Sequence, residues 1–171
     1  MKKFLTIALA LLFVLSFAAC GGDKFANLQL NVNGFGQNII NASKFSFTPD
    51  VLEDGATAAS NLKLSTDQLN TVDGKPEIFY AVVAGYPEAV FVIGAKDAAA
   101  AKAISNGPVK DWIAEQRAGY SDYGPDQVPK LDSAINRVAG RYVICVVTDD
   151  NASAKTAIDG LLDSALQFNG K

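Results

Sequence analysis

The run Ile78-Phe79-Tyr80-Ala81-Val82-Val83-Ala84, the four residues Gly85-Tyr86-Pro87-Glu88 and the run Ala89-Val90-Phe91-Val92-Ile93-Gly94-Ala95 together decide the fold. Two β-branched and aromatic runs separated by four residues of turn composition predict a β-hairpin. Both runs are apolar at nearly every position. Such a pair either has both faces covered, or has one face against a helix while the other is partly wet.

Outward toward the C-terminus, Asp97 precedes the alanine-rich stretch Ala98 to Ile104. A short acidic side chain there accepts from free N–H groups at a helix start. Asn106-Gly107-Pro108 predicts a break or kink, because proline removes a helical hydrogen bond and restricts its predecessor. Helix resumes with Val109, Trp112, Ile113 and Gln116 on one face. Tyr120, Tyr123, Gly124 and Pro125 mark a turn, and Val128, Leu131, Ala134 and Ile135 form a shorter helical stripe. Val138-Ala139, Gly140 and the run from Tyr142 to Thr148 predict a second hairpin. Asp149-Asp150-Asn151 caps a last helix, in which Ala154, Ala157, Ile158, Leu161, Leu162 and Ala165 repeat at three and four.

Outward toward the N-terminus the composition turns polar and small. Val32, Phe35, Ile39 and Ile40 fall at helical spacing, weakened by Gly34 and Gly36. Phe45, Phe47 and Thr48-Pro49-Asp50 predict a turn into another short helix near Val51 and Leu52. Residues 25–76 therefore read as a lid of short helices and loops over a core formed by residues 77–171. The order lid, ββ, α, α, ββ, α predicts an α+β two-layer sandwich, with an antiparallel sheet from two hairpins and helices on one face.

The chain opens with Lys2 and Lys3 and then runs apolar from Phe4 to Ala19, broken by Thr6 and Ser16, before Cys20. A charged segment, an apolar segment and a small-residue site are the parts of an export leader, here residues 1–19. The run is shorter than the roughly 20 residues a membrane-spanning helix needs. Phe17-Ala18-Ala19-Cys20 resembles the lipobox of bacterial lipoproteins, with Phe17 where leucine is usual. That resemblance implies cleavage before Cys20, diacylglycerol and palmitate on the cysteine, and attachment to the outer face of the cytoplasmic membrane. An ordinary secretory leader whose site happens to precede a cysteine is the alternative. Residues 20–24, with Gly21, Gly22 and Asp23, read as a flexible polar tether, and residues 25–171 as one globular domain of ordinary size.

Without residues 1–19 the chain has 13 basic against 18 acidic side chains. That negative balance makes nucleic acid an unsuitable partner. Cys145 is then the only free thiol, so no disulfide forms, and it lies in an apolar run where cysteine packs as a small hydrophobe. The chain has no histidine. The usual general base, the usual partner of a nucleophilic serine and the commonest transition-metal ligand are all missing, and no metal or cofactor is expected.

Asp149-Asp150-Asn151 fails as a calcium loop, since Ala154 and Gly160 stand where glycine and glutamate belong. Gly34-Phe35-Gly36 lacks the third glycine and the preceding strand of a dinucleotide site. Glu53, Asp54, Glu77, Glu88, Asp111, Glu115, Asp122 and Asp126 fall at turns or on polar helix faces, where solvated surface is the expectation. Arg117, Tyr120, Tyr123, Arg141 and Tyr142 gather guanidinium groups and amphipathic rings near a helix end and a strand start. If they meet in space, they form a patch for a small anionic ligand or an envelope protein; otherwise they fix loops and finish the core edge.

The landmarks from Ile78 to Leu162 also carry a resemblance. The apolar hairpin, Ala95-Lys96-Asp97 opening a helix, Gln116-Arg117 followed by Tyr123-Gly124-Pro125, and Gly140-Arg141-Tyr142-Val143 opening a strand are similar to a Gram-positive bacterial lipoprotein family built around domain of unknown function 4358. The resemblance implies a membrane-anchored extracytoplasmic protein and assigns no catalytic residue. Two functions follow as expectations: a non-enzymatic binding or interaction module, or a cell-envelope hydrolase working with carboxylates, or with a serine or tyrosine, and no histidine. A deep cleft with two facing carboxylates would favour the second.

Overall fold

The computed structural model describes residues 23–169. The leader and Cys20 lie outside the described residues. The strands β4 (Ile78–Val82) and β5 (Ala89–Gly94) form the expected hairpin, with Ile78 opposite Ile93 and Val82 opposite Ala89. The strands β6 (Ile135–Ala139) and β7 (Tyr142–Val147) form the second, turning at Gly140 with φ +57°. β5 pairs with β7 in the middle, and β1 (Asp50–Leu52) adds to β4 at the far edge. The result is a five-stranded antiparallel sheet in the order β1-β4-β5-β7-β6. The domain is α+β, as the hairpins predict.

Every residue of β5 and of β7 is buried, so both faces of the sheet need apolar partners. α1 (Val32–Ala42) and α6 (Asn151–Asn169) cover one face, packing Phe35, Ile39, Ile158 and Leu162 on Phe79, Val90, Val92, Ile144 and Val146. α2 (Gly55–Asn61) and α3 (Ala98–Ile104), with Trp112 of α4 (Lys110–Tyr123), cover the other, over Ile78, Phe91, Ile93, Val143 and Cys145. On that second face Phe91 stacks on Tyr80 at 4.9 Å and meets the edge of Trp112 at 4.7 Å. Helices thus lie on both faces, where two layers with helices on one face were expected. The reason is the continuous apolar character of the two inner strands, which a single helical layer would leave half wet.

The N-terminal segment is therefore no lid. α1 belongs to the core, Val51 and Leu52 sit in edge strand β1 rather than in a helix, and Asp54 caps α2 by accepting from Ala56 and Thr57. A second small hairpin, β2 (Thr71–Val72) with β3 (Lys75–Pro76), turns through Asp73 and Gly74, both at positive φ. Asp23 and Lys24, assigned to the tether, belong to the folded part: the Asp23 carboxylate accepts from the Phe25 N–H and Lys24 pairs with Asp163 at 3.2 Å. Asn106-Gly107-Pro108 does not end the helix. Ser105–Val109 continues it as a π-helical turn between α3 and α4, and the Asn136 side-chain amide donates to the Ser105 carbonyl at 2.9 Å. The later stripe is shorter than expected, with α5 (Val128–Asp132) ending before Ile135 enters β6. Asp97 caps α3 and Asp150 caps α6 as the sequence predicts.

Gly36 is buried where α1 crosses β4. A Cβ there would stand 2.1 Å from the Phe79 ring, whereas at exposed Gly34 the nearest atoms would be at an ordinary 3.5 Å. Helix propensity alone would favour alanine at both positions by up to about 1 kcal/mol. Gly34→Ala is therefore expected to be neutral or slightly stabilising. Gly36→Ala should instead destabilise by about 1–3 kcal/mol through overpacking. Denaturant midpoints of the two variants decide the matter, and a Gly36→Ala protein as stable as the wild type would contradict this packing.

Candidate functional site

The sequence-derived cluster divides between the two ends of the sheet. At the Gly140 end, Arg141 donates to Glu77 at 2.9 Å and to the Tyr142 hydroxyl at 2.6 Å, and it lies over the Tyr142 ring. Tyr142 is fully buried on the α1–α6 face, where its hydroxyl also accepts from the Leu30 N–H at 3.0 Å. At the Gly85 end and on the opposite face, Tyr120 packs with Leu131 and Val147. Burial is the main cause that pushes its hydroxyl up to about 12. Tyr123 stands beside it at 4.9 Å, 72 % exposed. Arg117 pairs with Asp132 at 2.5 Å in solvent. The five residues do not form one patch, because β7 separates Tyr142 at its start from Val147 at its end.

Around Tyr120 the Gly85 end carries a cluster that the sequence reading missed. Glu88 is fully buried, although turn composition placed it on the surface. Its carboxylate accepts from the Ser46 N–H at 2.7 Å, the Ser46 hydroxyl at 2.6 Å and the Lys130 ammonium at 2.5 Å. Lys130 also pairs with Asp149, whose own N–H donates to the Lys44 carbonyl at 3.0 Å. The hydrogen bond from Lys130 is the largest cause holding the Asp149 carboxyl below its ordinary value. Burial works against the Lys130 ammonium, but its bonds to Asp149 and Glu88 leave it raised overall.

This charge state argues against catalysis at Ser46. A lysine held cationic is no general base, and the Glu88 carboxylate is already engaged by Ser46 and Lys130. The cluster instead fastens four chain segments that are distant in sequence. Around it the surface is aromatic: Phe47, 61 % exposed, meets half-buried Tyr86 at 5.3 Å, and Lys130 lies 5.8 Å from the Tyr86 ring centre. Exposed Tyr123 adds a further ring at this end through its contact with Tyr120.

At the Gly140 end a cleft of about 630 Å³ is lined by Leu30, Asn31, Glu53, Lys75, Glu77 and Ile78 among others. It holds two carboxylates, but Glu77 is committed to Arg141 and to the Asn70 amide, each at 2.9 Å. Cys145 lies under α3, fully buried, and burial pushes its thiol up to about 12. Among the described residues no group of histidine, cysteine or carboxylate side chains could hold a metal ion.

Two measurements test these assignments. Lys130→Met leaves Glu88 buried against an uncharged neighbour and should cost roughly 3 kcal/mol; Glu88→Gln in the same chain should restore part of it. Asp149, depressed in the fold, adds stability above its unfolded value near pH 3.9 that is lost as pH falls through its folded value. Lys130, raised in the fold, adds stability below about pH 10.4 that is lost as pH rises through its folded value. Chemical denaturation across pH should show both flanks, each weakened in Lys130→Met. The Cys145 thiol should react with a maleimide only at the rate of unfolding. No family model, curated protein or solved structure matches the chain.

Proposed function

We propose that the protein is an extracytoplasmic lipoprotein, anchored through diacylglycerol on Cys20, whose folded part is a binding module rather than an enzyme. On this reading it is akin to the Gram-positive lipoproteins built around domain of unknown function 4358. The address rests on the leader and on Phe17-Ala18-Ala19-Cys20. Among the described residues no helix is long and apolar enough to cross a membrane. Two acyl chains hold a protein stably where one does so only marginally.

The observation that carries the binding reading is the aromatic surface at the Gly85 end. Phe47, Tyr86 and Tyr123 offer rigid rings with few torsions to freeze. The ion cluster beneath them fixes the segment that bears Phe47. Exposed rings on a fixed base suit an envelope protein better than a small anion, since Lys130 is already shared between Glu88 and Asp149.

Cys20→Ala should move the protein from the membrane fraction to the soluble fraction of cells that express it, and unchanged retention would sink the anchoring. A photo-crosslinking residue at position 123 should capture a defined envelope protein, with loss of the adduct in Phe47→Ala. Equal capture from an exposed position on the Gly140 end, such as 73, would remove the Gly85 end as the binding surface.

A further inference from the structure

We propose that the Gly140 end of the domain is its membrane-facing surface, lying against the lipid headgroups of the outer leaflet, with the Gly85 end turned away from the bilayer. The inference rests on the lipoprotein reading of Cys20 and adds an orientation to it.

The length of chain before the fold carries the argument. Three residue steps separate Cys20 from Asp23, and at no more than about 3.6 Å each they span at most about 11 Å. Asp23 is where the described fold begins. It lies at the Gly140 end: the next residues pack so closely on the β6–β7 turn that a Cβ on Gly140 would stand 2.2 Å from the Phe25 carbonyl. Lys24 bonds to Asp163, late in α6. An acylated Cys20 therefore holds this end within about 11 Å of the headgroups, while β7 alone places the Gly85 end roughly 20 Å further along the sheet axis.

A second, independent observation concerns what that end exposes. α6 is 19 residues long, about 28 Å of helix beside strands of about 20 Å, so it overruns the sheet. Phe168 lies in the overrun and is 81 % exposed. The β2–β3 hairpin springs from Asn70 and Glu77, both hydrogen-bonded to Gly94 at the same end of β5. It carries Val72, 54 % exposed, opposite Lys75. An exposed aromatic and an exposed branched aliphatic side chain, on an end that also carries Lys24 and Lys75, match the mixed apolar and charged character of a membrane interface. Asp73 and Asp97 interleave with the lysines, so net charge does not drive the contact; the tether does. The 630 Å³ cleft between Asn31 and Lys75 belongs to this end too, which places it beside the headgroup layer.

The test uses full-length protein purified with its native amino terminus, its acylation verified by mass. It is reconstituted into phosphatidylethanolamine and phosphatidylglycerol vesicles containing a headgroup nitroxide lipid. Single cysteines at exposed positions Asp73→Cys and Phe168→Cys on one end, and Ala84→Cys and Tyr123→Cys on the other, carry a fluorophore; Cys145 is buried and does not compete. Quenching at 73 and 168 should exceed that at 84 and 123 at least threefold, and Cys20→Ala should abolish it at all four. Acylated protein quenched equally at both ends, or more at 84 and 123, would overturn the orientation while leaving the anchor standing. A bare sulfur or an intact leader in the mass spectrum would instead overturn the lipoprotein reading and the orientation with it.

Discussion

Two strands without a solvent-facing side set the terms for the rest of the chain. β5 and β7 together place Ala89 to Gly94 and Tyr142 to Val147 in the interior, so alternate side chains demand cover on opposite faces. At about 25 cal/mol per Å² of apolar area, leaving one face wet would forfeit more than a domain's net stability. The segments on either side of these strands are pressed into the two outer layers for that reason. α1 arrives from the polar N-terminal region, α6 follows β7 directly, and α2, α3 and α4 fill the opposite side. The glycines Gly36 and Gly140 sit where this close approach leaves no room for a Cβ.

The same enclosure explains the ion cluster. The β4–β5 turn carries Glu88 inward to a fully buried site, where a charged group without partners would be costly. Ser46 and Lys130 supply three hydrogen bonds and one opposite charge, and Asn151 holds the helix that bears Lys130 by donating to the Lys130 carbonyl at 2.8 Å. Such a pair contributes little net stability compared with apolar packing, while the loss of one partner is expensive. What it does supply is attachment: the Ser46 N–H and hydroxyl and the Lys44 carbonyl tie the loop from Lys44 to Phe47 to Glu88 and Asp149.

The inner hairpins were legible because their signal is continuous and local, as were the caps at Asp97 and Asp150. β1 was not, since three residues hold no readable period and its strand character comes from pairing with β4. β2 and β3 were readable in principle: Asp73-Gly74 between Val72 and Lys75 is a strong turn signal for a two-residue hairpin, here obscured by the polar composition around it. The break-or-kink signal of Asn106-Gly107-Pro108 fell where the helix distorts into a π turn rather than ends, with Asn136 supplying a bond to a carbonyl of that turn. Arg141 and Tyr142 looked like neighbours of Tyr120 because sequence cannot tell which end of a strand a loop will meet. Glu88, Lys130 and Asp149 were separately visible as charged residues, but nothing local marks three such residues as one ion cluster around a buried carboxylate.

Where binding can occur follows from what the fold has already used. Both faces of the sheet are covered, and neither edge invites another strand. β1 offers only three residues, and in the middle of β6 the Arg137 side chain turns to Asp159 of α6, an inward-facing charge of the kind that discourages edge pairing. The two ends and a cleft of about 750 Å³ between β6 and the first turns of α6 remain, and loops at the ends of a rigid scaffold are where recognition residues gather. The ends differ in chemistry: the Gly140 end carries a polar cleft and two separated apolar side chains, while the Gly85 end carries adjoining rings over a saturated ion cluster. If Cys20 carries the proposed lipid, the tether turns the first of these toward the membrane, and the second is the end left open to a partner.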